Sequence, residues 1–202
     1  MLDKPIVRRL VPQTYSLTLL GLCITLCSQC SASESLCGTT EVALFSCPTA
    51  YKLVSLCASR DLSQTSGYLQ YRFGTKTKLD FQYPEIKVHP YKKFIRSGIG
   101  YARGGEEHIS FSNGSYMYVL YDILTGLDPG KGTHARSSGV VVLSKSKAVP
   151  VDGEMPIASF VRHVRCQQPA LWSGVPDGAM PSGTHYLFPE DVYRSMSQTL
   201  LK

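Results

Sequence analysis

No stretch of this 202-residue chain is long and apolar enough to cross a bilayer as a helix; the longest predominantly apolar run, "LTLLGLCITLC" from Leu17 to Cys27, has eleven residues against the roughly 20 that a span requires. Catalytic signatures are also missing. There is no Gly-x-Ser-x-Gly, no Ser-x-x-Lys set with its partner motifs and no His-Glu-x-x-His, which leaves serine-hydrolase, penicillin-binding and zincin readings without support. The nearest approach to a phosphate loop, "GLDPGKGTH", fails on spacing. Only three residues separate Gly126 from Gly130 where four must intervene, and Lys131 is followed by Gly132 where Ser or Thr is required. Helical periodicity is scarce, and Asn113 is the only asparagine.

What is present begins with a tripartite N-terminus: basic Lys4, Arg8 and Arg9, the short apolar run, then "SQCSAS" with small residues suited to cleavage. This pattern predicts a secretory signal peptide over residues 1–32, cleaved after Ala32, and a single β-rich domain over 33–202. Cleavage removes three of the seven cysteines and leaves Cys37, Cys47, Cys57 and Cys166, an even number that fits two disulfides in an oxidising compartment. A lipid anchor is not expected, because Cys23 and Cys27 each follow leucine and Cys30 follows Gln29 where a small residue is wanted. The expected location is an oxidising compartment outside the cytoplasm.

Strand signals dominate the rest. "TEVALFSC", "KLVSLCAS", "GYLQYRFG", "KLDFQYP", "EEHISFS", "SYMYVLYDIL", "GVVVLSK" and "IASFVRHVRC" are short, rich in β-branched and aromatic residues, and bounded by Gly, Pro, Ser or Asp. They predict an all-β fold, an antiparallel sandwich or barrel-like arrangement braced by disulfides. A short C-terminal helix is expected in "PEDVYRSMSQTLLK", where Val192, Met196 and Leu200 form a docking stripe. "GLDPGKGTH" and the long "LDPGKGTHARS" segment read as loop. Asn113-Gly114 reads as a two-residue hairpin turn that sets Phe111 opposite Tyr116 and Ile109 opposite Tyr118, an aromatic ladder, with His108, Met117 and Val119 on the other face.

Alternation in "GYLQYRFG" turns Leu69, Tyr71 and Phe73 inward and sends Tyr68, Gln70 and Arg72 outward. Losing Lys4, Arg8, Arg9 and Asp3 removes three positive charges and one negative charge, so the formal net charge falls from +6 to +4. Basic residues are densest from Lys76 to Arg103. The expected binding face is therefore Tyr68, Gln70 and Arg72 together with Lys92, Lys93 and Arg96, directed at a protein partner. No catalytic residue, metal site, cofactor or nucleic-acid partner is called for. Glu106 and His108 share a strand face, and that placement would suit a pH-sensitive pair or half a metal site; the plainer expectation is a solvated strand end beside a glycine bend.

The stretch from Cys37 to Gly74, with "FSC", Lys52, "SLCAS" and "GYLQYRFG", resembles a group of uncharacterised exported β-rich proteins of Gram-negative bacteria. The resemblance implies export to the periplasm or the exterior of a Gram-negative bacterium and a β-rich fold, and it carries over no catalytic residue. The function expected is a binding or inhibitory module of the hydrolase-inhibitor or toxin-immunity type. The alternatives are a cell-wall-directed hydrolase with convergent carboxylates, drawn from Asp61, Asp80, Glu85, Glu106, Glu107, Asp122 and others with nothing to single out a pair, and a structural envelope component.

The cysteines are expected to be staples. A hairpin turning near Thr49-Ala50 puts Cys57 opposite residues 42–43 and Cys47 opposite 52–53, roughly 13 to 17 Å apart at about 3.3 Å per residue, beyond disulfide reach. Of the two remaining connectivities, Cys37–Cys57 with Cys47–Cys166 is preferred, because Gly38 lets the N-terminal segment fold back over the hairpin.

Overall fold

The computed structural model describes residues 34–102, 104–127, 134–145 and 157–183. The expected signal peptide, the stretch "DPGKGT" and the expected tail helix lie outside the described residues. Ten strands run in order: β1 Glu41–Pro48, β2 Leu53–Ser59, β3 Leu69–Gly74, β4 Leu79–Tyr83, β5 Ile95–Tyr101, β6 Gly104–Asn113, β7 Tyr116–Leu127, β8 His134–Lys145, β9 Ile157–Arg165 and β10 Leu171–Trp172. They form two antiparallel five-stranded sheets, ordered β10-β1-β2-β3-β4 and β5-β6-β7-β8-β9. The all-β expectation holds. β8 starts at His134, so "HARS", expected as loop, is strand; Arg136 to Ser138 extend the ladder because β7 runs far enough to pair with them.

The two sheets face each other across a core in which Phe45, Leu56 and Leu69 of the first meet Ile109, Phe111, Leu120 and Val140 of the second. Aromatic rings knit the interface: Phe111 stacks on Tyr118 at 4.9 Å and on Tyr83 at 4.5 Å, and Tyr71 lies 5.1 Å from Phe111. Such pairs add about 0.5–1.5 kcal/mol each beyond the area they bury.

The β6–β7 hairpin keeps the expected faces in a different register. Asn113 pairs with Tyr116, Phe111 with Tyr118 and Ile109 with Leu120, so the turn is Gly114-Ser115, one residue later than expected. Gly114 takes the positive φ, +57°, where a side chain would be strained. A one-residue shift of the turn moves each partner by two positions, which preserves parity, so the aromatic ladder survives with different members.

Both expected disulfides form: Cys37–Cys57 and Cys47–Cys166, spanning 20 and 119 residues. In the first hairpin Cys57 pairs with Ala43 and Cys47 with Val54, a bulge between Ala43 and Phe45 moving the latter by one from expectation. After β9 the chain crosses back to the first sheet. Gln167 donates its amide to the Pro48 carbonyl, and β10 then pairs with β1, so Cys47–Cys166 clamps the crossing point. Two disulfides are compatible with an extracellular or periplasmic protein. No helix among the described residues is long and apolar enough to cross a membrane.

Candidate functional site

The first half of the expected binding face is sealed. Gln70 and Arg72 do point away from the inter-sheet core, yet they are 1% and 8% exposed. Arg72 forms a bidentate pair with Glu41, Nη1 to Oε2 at 2.6 Å and Nη2 to Oε1 at 2.7 Å, while its Nε donates to Gln70 Oε1 at 3.1 Å. Residues 34–38 cross this face as a strap. Arg72 Nη1 also donates to the Leu36 carbonyl, the Leu36 amide donates to Ser55 Oγ, and Cys37–Cys57 fastens the strap beside them. Gln70 donates to the Pro84 carbonyl at 2.8 Å. Tyr68 is half-buried and donates its hydroxyl to Glu41 Oε1, with Lys87 completing the cluster. Burial by itself raises the Glu41 carboxyl, but hydrogen bonds from Arg72, the Gly38 amide, Tyr68 and Lys87 outweigh it and hold the group well below the usual carboxylate range. Gln70 and Arg72 are thus structural and cannot form an exposed surface; alternation settles the side of the sheet, and the strap then covers that side.

Lys92 and Lys93 are exposed on the short 3-10 turn Pro90–Lys92 and its C-cap, beside the 55% exposed Tyr91. Arg96 lies on β5, away from that turn's surface, and its guanidinium binds Glu107. The six residues expected to share one face therefore divide among three places.

Arg96 belongs to a polar cleft at one end of the second sheet. Glu107 accepts from Arg96 and, at 2.7 Å, from the Trp172 indole nitrogen of the first sheet. Asp122, directly opposite Glu107 across the β6–β7 ladder, takes a bidentate pair from Arg136 and a hydroxyl from Ser138 at 2.6 Å. Beside them is a cavity of about 650 Å³ lined by Gly98, Gly100, Gly104 and Gly105. Glu106 and His108 sit on the opposite face of β6, 7% and 0% exposed, with Oε2 and Nε2 at 3.4 Å. The expectation of a solvated strand end for this pair is overturned, since the outer face of the second sheet is buried around Val119 and Tyr121 as well.

The cleft borders an open strand edge. Pro181 to Gly183 pair with β5 only at Arg96: the Arg96 amide donates to the Pro181 carbonyl and its carbonyl accepts from the Gly183 amide. Since N–H and C=O groups alternate sides along a strand, Gly98 and Gly100 turn theirs to the same outer edge. Both are exposed, as is the intervening Ile99 at 45%. Among the described residues, no backbone bond reaches that edge beyond Arg96. A Cβ at Gly98 would come within 2.8 Å of the Glu106 carbonyl oxygen, whereas one at Gly100 would meet nothing within 4 Å. The sequence reading did not include β5, because glycines at 98 and 100 lower strand propensity. Glycine inside a strand also marks close approach of another backbone, and that signal was available in "RSGIGY".

Chemically, the cleft brings together two carboxylates that sequence reasoning could only name among many. Each is engaged by an arginine and a second donor, an arrangement that orients and neutralises. The one group of metal-ligand type among the described residues is Cys37, Glu41 and Cys57, and its sulfurs are joined to each other. The chain matches no protein-family model, and neither curated proteins nor solved structures include a match to it.

Proposed function

We propose that this protein is an exported binding module of the hydrolase-inhibitor or toxin-immunity kind, acting in the periplasm or outside a Gram-negative cell, and that it captures an extended segment of a protein partner along the free edge of β5. The observation that carries this reading is the edge at Gly98 and Gly100, exposed and side-chain-free, which among the described residues receives a backbone partner only at Arg96, from segment 181–183. Main-chain hydrogen bonds to an added strand supply affinity, and the neighbouring cleft with Ile99 and the Arg96–Glu107 pair supplies side-chain selectivity. An unprotected edge is otherwise a liability in a secreted protein, and two disulfides keep this one presented on a rigid frame.

A cell-wall-directed hydrolase is the second reading, favoured by the opposed Glu107 and Asp122. It is the weaker of the two because Arg96 with Trp172, and Arg136 with Ser138, already engage the oxygens of these carboxylates.

Gly100→Pro tests the binding reading, since it deletes the outward amide at a position with open space around it. Wild type and Gly100→Pro, both disulfides intact, are compared for capture of periplasmic proteins, and the recovered partner is then examined by amide hydrogen exchange. Loss of capture by more than tenfold with Gly100→Pro, and slowed exchange at Gly98 and Gly100 in the wild-type complex, are expected. Equal capture by a natively folded Gly100→Pro variant would overturn the proposal.

A further inference from the structure

Arg162 breaks the alternation of β9. It pairs with Val142, as Val164 does with Val140, and those β8 valines oppose Tyr118 and Leu120, which face the inter-sheet core. Arg162 therefore occupies a position on the side of the second sheet that looks into the sandwich. An inward charge on an edge strand has a purely structural explanation, protection against pairing with another molecule. The surroundings carry a second one.

Tyr71, Phe81, Tyr118, Val142 and Val164 line, with the solvent-exposed Arg162, an open cavity of about 260 Å³ between the sheets, room for about eight non-hydrogen atoms at the roughly 30 Å³ a water molecule takes in the liquid. Phe73, Arg162 and Val164 are shared with a wider cavity of about 590 Å³ that also carries Lys52 and Arg165. Lys52 is paired with Asp80 at 2.9 Å. Among the described residues, no carboxylate is in ion-pair contact with Arg162. An apolar slot thus opens past an arginine into a basic vestibule. Burial pushes the Tyr71 and Tyr118 phenols above their ordinary values, so both keep their protons as donors at the slot's wall.

We propose that this inter-sheet slot binds a small free monocarboxylate, its apolar body of about eight non-hydrogen atoms lying among Tyr71, Phe81, Tyr118 and the valines and its carboxylate held by Arg162. Planar guanidinium matches carboxylate geometry with two parallel hydrogen bonds, and mostly apolar walls with one orienting charge are the usual make-up of a small-ligand site. The proposal is independent of the β5 edge, which lies on the opposite edge strand of the second sheet.

Calorimetry with hexanoate, octanoate, dodecanoate and 1-octanol tests it on the oxidised protein. One-to-one octanoate binding is expected, tighter than hexanoate, with no further gain at dodecanoate; 1-octanol should bind at least tenfold more weakly. Arg162→Ala should lose at least tenfold for octanoate and leave 1-octanol unchanged. In the unmodified protein, octanoate should shift the methyl resonances of Val142 and Val164, a readout that needs no variant. The proposal is overturned by absence of saturable octanoate binding, by equal binding of octanoate and 1-octanol, or by an Arg162→Ala protein that self-associates with octanoate affinity intact, which would make Arg162 an edge guard. Sedimentation with phosphatidylglycerol vesicles without binding of free octanoate would also overturn it, because the ligand would then be a lipid surface.

Discussion

On the outer face of the first sheet, Arg72 and Glu41 lie beneath a disulfide-fastened strap with every neighbouring donor engaged, whereas at the outer edge of the second sheet Gly98 and Gly100 turn bare backbone to solvent. Both regions are polar, and they differ in what the rest of the chain does with that polarity. A charge-rich surface becomes interior once a distant segment is tied over it, and its charges then serve stability. A strand edge that, among the described residues, is covered only at Arg96 offers its backbone to another chain. Reading a binding face from charge alone selects the first region, and the free backbone edge belongs to the second.

The largest effect should come from the clamp that holds the two sheets together. Cys47→Ser with Cys166→Ser opens a loop of 119 residues and should cost about 4–5 kcal/mol on the chain-entropy account, read by urea unfolding; the same change at Cys37 and Cys57, 20 residues apart, should cost about 3 kcal/mol. Equal losses would show that loop length does not set the contribution.

Arg72→Ala should come next, at about 3–5 kcal/mol, because it strands a buried Glu41. Replacing both partners with Arg72→Met and Glu41→Leu should restore most of the loss. Glu41 also fixes a sign in wild type. Its folded value lies below the ordinary 4.5, so its contribution is complete above that pH and is lost as the pH falls below it. A denaturation midpoint in the Arg72→Met, Glu41→Leu protein that still tracked acid as wild type does would remove Glu41 as the cause.

A smaller contrast tests the open edge. Gly98→Ala brings a Cβ to 2.8 Å from the Glu106 carbonyl and should destabilise by about 1–3 kcal/mol, while Gly100→Ala should stay within about 0.5 kcal/mol. Thermal unfolding of the two variants would decide it, and equal losses would contradict the strand geometry at this edge.

The weakest effect expected is a pH dependence from His163. Burial, with Arg165 adding to it, pushes the imidazole down to about 4 from 6.5, and its Nε2 lies 2.6 Å from the Tyr121 hydroxyl. A lowered folded value means that the stabilisation is full above pH 6.5 and declines as the pH falls toward 4. His163→Gln should flatten that window, and an unchanged slope between pH 6.5 and 4 would exclude the histidine.

Much of this was readable along the chain. Eight of the ten strands among the described residues carried β-branched and aromatic runs between turn residues, and the parity of Phe111 and Tyr118 put them on one face even with the turn misplaced by one residue, because a two-position partner shift leaves faces unchanged. Strand spacing excluded Cys47–Cys57, and the preference between the two remaining pairings rested on Gly38. β5 escaped notice for the reason that makes it interesting, glycines in place of side chains. β10, two residues long, is too short to carry a pattern. Of the candidate site, Arg96 was named for its charge, and Glu107 and Asp122 stood in an undifferentiated set of acids, while Trp172 had no local signal at all.

The sequence by itself determined most of the strands, the parity of side chains along each and one pair of cysteines that cannot meet, since these depend on pleat, propensity and chain length between neighbours. Only the tertiary structure decided what lies against each outward side. Arg72 meets the Leu36 carbonyl across 36 residues and Glu107 meets Trp172 across 65, and a period of two along a strand holds no information about a segment that far away. Burial of a charge and openness of an edge are therefore properties of the assembled sandwich, set by where the strap and the segment 181–183 come to rest.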